Sequence, residues 1–236
     1  MDGFTYHDIF ETKGIEYLVI IGFLILLVPF WVIINKRSTV AQDIRSAIDV
    51  LTASLIRIPQ GLFYSKNHTW AHLQKSGTAK VGLDDFLMQV VGNVQVNPLK
   101  APGEQVKKGE KVAEIMQNGK RLQVVSPISG EISQTNETVI EMPEIVNRNP
   151  YYKGWIYDIK PSNWKAETNS YFLAKEASAW IKQEIDRFKD FLAVSSSRHS
   201  GELSLIALQE GGEIRKNVLA ELDEKIWKDF EDSFLS

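Results

Sequence analysis

Lys111-Val112-Ala113-Glu114-Ile115-Met116-Gln117-Asn118-Gly119-Lys120-Arg121-Leu122-Gln123-Val124-Val125 is the stretch that decides the fold. Two β-prone runs, residues 111–115 and 122–125, flank Asn118-Gly119. Asn-Gly between such runs is the strongest short hairpin signal, because both central residues of a type I′ turn need positive φ. Side chains alternate between faces along a strand, so a slip of one residue reverses direction. With Asn118 and Gly119 as the turn residues, Lys120 belongs on the strand shoulder beside Arg121, not at the tip.

Outward from the hairpin the same grammar continues. Short β-prone runs recur at 78–82, 93–96, 130–132 and 155–159. Pro102-Gly103, Lys108-Gly109, Pro127 and Gly154 punctuate them. Short strands separated by turn signals predict a small all-β domain over 59–165.

Several ordered motifs in this region resemble the glycine cleavage system H protein family, within the lipoyl and biotinyl carrier domains. They are Ile58-Pro59 through Tyr64, His68-Thr69-Trp70, Ala79-Lys80-Val81-Gly82-Leu83 with Asp84-Asp85-Phe86-Leu87, and Gly92-Asn93-Val94. The turn Pro102-Gly103-Glu104 to Gly109-Glu110 and the run Ser126-Pro127-Ile128-Ser129-Gly130-Glu131-Ile132 continue the match. Pro143-Glu144-Ile145-Val146-Asn147, Asn149-Pro150-Tyr151 and Gly154-Trp155-Ile156 are its densest part. The resemblance implies a mainly β fold, a lipoyl-type barrel-sandwich hybrid, with a closing helix over 166–194. It also implies a lipoylated lysine at the hairpin tip that carries an aminomethyl group between active sites. The spacing from Gly109 to Ser126 matches the family without a gap, and the family's lysine then falls on Gly119. Lys120 comes one residue late, and Met116 replaces the family's nearby acidic residue. The expectation is therefore a structural or regulatory binding subunit without cofactor, the alternative being a lipoyl carrier modified on Lys120.

Before the domain, Tyr17 to Ile34 contains no charge over 18 residues. As a helix it would span roughly 27 Å, close to a ~30 Å hydrocarbon core. This predicts an extracytoplasmic leader over 1–14 and a transmembrane helix over 15–36 that contacts lipid through 17–34. Lys36 and Arg37 follow the span, so positive-inside logic places the domain in the cytoplasm of a bacterium, on a single-pass inner-membrane anchor. The acidic leader argues against a cleaved signal peptide. Val40, Ile44, Ile48, Leu51 and Leu55 then recur at helical spacing and predict an amphipathic connecting helix over 38–58.

After the domain, Leu173, Ala177, Trp180, Ile181, Ile185, Phe188 and Leu192 form the stripe of the closing helix. Residues 195–236 read as a linker and an amphipathic helix, whose stripe is Ile214, Val218, Leu222, Ile226, Phe230 and Phe234. Such a face must be buried, either on the same domain or in a partner's groove.

Composition narrows the function. A net charge of −3 without a concentrated basic face excludes a general nucleic-acid binder. The chain has no cysteine, hence no thiolate nucleophile and no cysteine-held metal. His68 and His72 lie four apart in a strand-like context with no third ligand nearby. Asp84-Asp85 suits a helix N-terminus better than a catalytic pair. No nucleophile–base constellation emerges, so the chain reads as a non-enzyme with no metal. Its partners are expected to be other protein subunits, in a membrane complex or in glycine metabolism.

Overall fold

The structure is a computed structural model that describes residues 9–35, 51–198, 208–209 and 213–236. The chain divides into two compact units, Met1–Ile48 and Asp49–Ser236.

In the second unit, β1 (Phe63–Tyr64), β2 (Thr69–Leu73), β3 (Ala79–Leu83), β9 (Trp155–Pro161), β8 (Gly130–Thr135) and β5 (Gln105–Val106) form one sheet in that order. A smaller sheet has the order β4 (Gln95–Pro98), β6 (Lys111–Gln117), β7 (Lys120–Val125). All neighbours are antiparallel. The mainly β, H-protein-like sandwich expected from the sequence is therefore present. Ile115, Leu122, Ile132 and Ile159 are fully buried between its strands. Trp70 is also fully buried, and its indole N–H donates to the carbonyl of Leu83 at 2.9 Å. Opposite it, Gly82 is required by space: a Cβ there would lie 2.8 Å from the Trp70 ring.

Short helices decorate the sandwich. In α2 (Asp85–Val91), Asp84 is the N-cap and accepts from the Leu87 N–H at 2.8 Å. Asp85 pairs with Arg57 at 2.6 Å. The two aspartates thus have structural partners, as a helix start requires. α3 (Glu137–Glu141), α4 (Glu144–Arg148) and α5 (Trp164–Thr168) follow, and α6 (Ala174–Arg198) is the closing helix. Ala177, Ile181, Ile185, Phe188 and Leu192 on its stripe are buried.

The C-terminal residues pack on this same unit. Ile214, Val218, Leu222, Ile226, Phe230 and Phe234 are all buried, so the stripe is covered intramolecularly. The single helix expected there is instead broken into α7 (Val218–Glu221), α8 (Glu224–Phe230) and a π-helical turn, Glu231–Leu235. The break falls at Leu222-Asp223, where Asp223 restarts the helix by accepting from the Ile226 N–H at 3.0 Å. A two-residue pair, β10 (Leu208–Gln209) with β11 (Glu213–Ile214), precedes it. Residues 199–207, which include the end of the expected linker, lie outside the described residues.

The first unit corrects an expectation. Its helix α1 (Ile9–Asn35) begins inside the segment assigned to the leader and takes in Glu11, Lys13 and Glu16. Among the described residues, no helix is long and apolar enough to cross a membrane. The transmembrane helix over 15–36, the lipid contact through 17–34 and the single-pass inner-membrane placement fall together. Of the connecting helix over 38–58, residues 38–50 lie outside the described residues, and Leu51–Ile58 runs as turns without helix.

Candidate functional site

The hairpin forms as its turn residues require. Asn118 and Gly119 have φ of 49° and 81°, and Gln117 pairs with Lys120. Cross-strand partners share a face, so parity places every side chain of β7. Met116 and Arg121, like Glu114 and Gln123, take the outer face. Ile115 and Leu122 take the inner one and are fully buried. Lys120 is two residues from Leu122 and therefore points inward with it.

There the ammonium of Lys120 meets the C-terminal segment. It donates to the carbonyls of Leu222 at 2.7 Å, Ala220 at 2.8 Å and Leu219 at 3.4 Å. It also lies 4.9 Å from the centre of the Trp227 ring. The Trp227 N–H donates to the Leu219 carbonyl at 2.6 Å, which fixes the ring beneath the ammonium. These carbonyls close α7, where a helix end leaves acceptors unsatisfied and its dipole favours a cation. Burial lowers the pKa of Lys120, with Asp223 opposing.

The tip belongs to Gly119, which is exposed, with open space around a Cβ built on it. Two hollows flank the tip. One, of about 560 Å³, is lined by Asn93, Gln95, Met116, Gln117, Arg121 and Glu144, among others. Gln117 donates its amide N–H to the Asn93 carbonyl at 2.7 Å, while its Oε1 is buried without a partner. The second hollow, about 670 Å³, lies toward α8 and is lined by Glu114, Arg121, Gln123, Lys225, Lys228 and Glu231. Gly119 and Arg121 line both.

The two histidines do not come together as ligands. His72 is exposed beside Gln74. His68 is fully buried, with Nδ1 2.8 Å from Asp84 and Nε2 3.5 Å from Glu184 of α6. Phe86 and Trp180 stack on either side of its ring, at 4.6 and 5.1 Å. Burial opposes its charge, but Asp84 and Glu184 outweigh it and push the imidazole up to about 9. Among the described residues, no group of three or more His, Cys, Asp or Glu could hold a metal.

Sequence reasoning placed Lys120 off the tip, but missed its inward direction and its carbonyl cage. The buried Leu122 held that signal, since parity carries Lys120 to the same face. Glu184 gave no comparable signal. It lies on a closing-helix turn whose meeting with His68 only the tertiary fold creates.

A lipoyl-type sandwich with a protruding hairpin and a closing helix defines a carrier-domain class of protein. Within that class, the family described as Glycine cleavage H-protein matches residues 62–188, and the chain belongs to it. The probable glycine cleavage system H protein of Pyrococcus abyssi is 33% identical over 126 residues, covering 53% of this chain and 93% of the relative. The glycine cleavage system H protein of Methylococcus capsulatus is 38% identical over 106 residues, covering 45% and 83%. That of Thermus thermophilus is 38% identical over 104 residues, covering 44% and 80%.

Proposed function

We propose that this chain is a non-catalytic, protein-binding member of the H-protein family in which the hairpin lysine is an internal strut. The observation that carries this reading is the cage around Lys120. An ammonium with three N–H donors faces three backbone carbonyls. A lipoyl amide would keep one N–H and no charge, so Lys120 as folded does not fit the anchor of a lipoyl arm. Gly119, which has the exposure an arm would need, has no amine. The partners on this reading are other protein subunits, docking around a hairpin that presents Asn118, Gly119 and Arg121.

Family membership taken alone backs a second reading, and backs it better than the first. The relatives are named as glycine cleavage H proteins, and on that ground the chain would be a lipoyl carrier that uses Lys120 among the enzymes of glycine cleavage. Intact-mass measurement of protein from its native host, with peptide mapping, separates the two. The strut reading expects an unmodified Lys120. A lipoyl increment localised to Lys120, and lost in Lys120→Arg, would replace it with the carrier.

A further inference from the structure

We propose that the C-terminal segment Asn217–Leu235 is a guard on Lys120, such that acylation of this lysine and docking of the segment exclude one another. The inference rests on the strut reading of Lys120 and extends it to the regulation of the same position.

The segment is held at several points besides the cage. The Asn217 N–H donates to the Gln89 carbonyl at 2.7 Å, and Asn67 donates its amide N–H to the Leu235 carbonyl at 3.0 Å. Glu231 accepts from the Gln123 N–H on β7 at 3.3 Å. Arg187 of α6 donates to the Ser233 carbonyl and lies over the Phe234 ring at 4.2 Å. Lys120 ties the hairpin end of this closure. Its three donors meet the carbonyls that end α7, at the joint before α8.

Acylation removes the tie chemically. The deprotonated amine must attack an activated acyl carbon, such as that of a thioester, an acyl adenylate or an N-hydroxysuccinimide ester. An N–C bond forms, the bond to the leaving group breaks and the amine's proton passes to solvent. The resulting amide is neutral and keeps one N–H, so at most one of the three carbonyls keeps a bond from this side chain, and the acyl carbon needs the space the segment fills. In the other direction, a docked segment surrounds the amine and engages it with the carbonyls of Leu219, Ala220 and Leu222, which keeps an acyl donor from reaching it. Each event disfavours the other by the same factor, as linkage demands.

The test uses the full chain and N-hydroxysulfosuccinimide acetate, with acetylation of each lysine followed by peptide mass spectrometry. Exposed Lys66, Lys75 and Lys225 serve as internal references. Lys120 should react at least about tenfold more slowly than these, the factor corresponding to ~1.4 kcal/mol. Leu222→Asp, which places a charge in a buried site of the segment, should bring Lys120 to the reference rate. Should that variant unfold altogether, amide hydrogen exchange supplies the second arm. Lys120→Gln should lose protection across 217–235, while Lys120→Arg, which keeps a cation, should retain more of it. A wild-type Lys120 that reacts at the reference rate would overturn the guard, as would a Lys120→Gln segment as protected as wild type. The strut reading can fail separately. Natively lipoylated Lys120 ends that reading but upholds the guard if the segment is then unprotected, and ends both if the segment stays docked.

Discussion

Lys120 and His68 are cations withdrawn from water in different ways. Lys120 is half-buried and neutral carbonyls hold it, whereas His68 is fully buried and carboxylates of two elements hold it. The difference fixes their response to pH. The folded pKa of His68 is raised from 6.5 to about 9. Its contribution to stability is therefore fully present below pH 6.5 and is lost as pH rises through 9. Urea unfolding should show stability falling over that window, by on the order of 3 kcal/mol for a shift of this size. His68→Gln should be less stable at pH 6 and should flatten the slope; an unchanged slope would mean that His68 is neutral in the fold. Lys120→Met should cost about 1–3 kcal/mol, because it leaves carbonyls without a donor, and Lys120→Arg less; equal stability of all three at pH 7 would contradict the cage. Of these two residues only Lys120 was partly legible. Asn118-Gly119 fixed its register, but its acceptors are backbone groups, which carry no side-chain signature. The charge of His68 depends on Glu184, distant in sequence, and no local pattern announces it.

Elements differ in legibility according to how local their causes are. The β6–β7 hairpin depends on adjacent residues and could be read down to its turn. The start of α2 was readable from Asp84-Asp85 for the same reason. The C-terminal stripe was readable in its spacing, since residues four apart share a helical face. Its continuity was not, because Asp223 ends one helix and caps the next. Asp223→Ala should therefore cost about 1 kcal/mol through the lost cap, and amide exchange should rise first at Ile226; protection at Ile226 equal to wild type would remove Asp223 as the cap. Trp70 and Gly82 state a tighter rule. They are cross-strand partners on β2 and β3, and the glycine admits the indole. Gly82→Ala should destabilise by about 1–3 kcal/mol, the range for overpacking a filled core. Thermal unfolding reads this directly, and an unaltered midpoint would show that the ring can move aside.

For the whole molecule, the family match and the packed unit have different limits. The match ends at residue 188, yet the buried core continues through Ile214, Val218, Leu219, Ile226, Trp227, Phe230, Phe234 and Leu235. The sequence left two ways to bury that stripe, on its own domain or on a partner. What decides between them is the shape of the surface beside it. The Phe230 and Phe234 rings pack against Phe188 and Phe191 of α6 at 5.7–6.0 Å. Asn217 sits over Gly92 so closely that a Cβ there would lie 3.0 Å from its side chain. The same segment covers β7, which among the described residues is an edge strand of the smaller sheet, and Glu231 accepts from the Gln123 N–H on it. An uncovered strand edge is a template for pairing between chains. Ending the chain at residue 212 should therefore do two things at once. It should lower the unfolding midpoint, through loss of buried apolar area, and it should cause concentration-dependent association through β7 and the uncovered face of α6. Differential scanning calorimetry reads the first and sedimentation velocity the second. A truncated chain that melts as wild type and stays monomeric at high concentration would mean that the sandwich is complete by residue 212. A lower midpoint without association would mean that the segment supplies core but does not protect the edge.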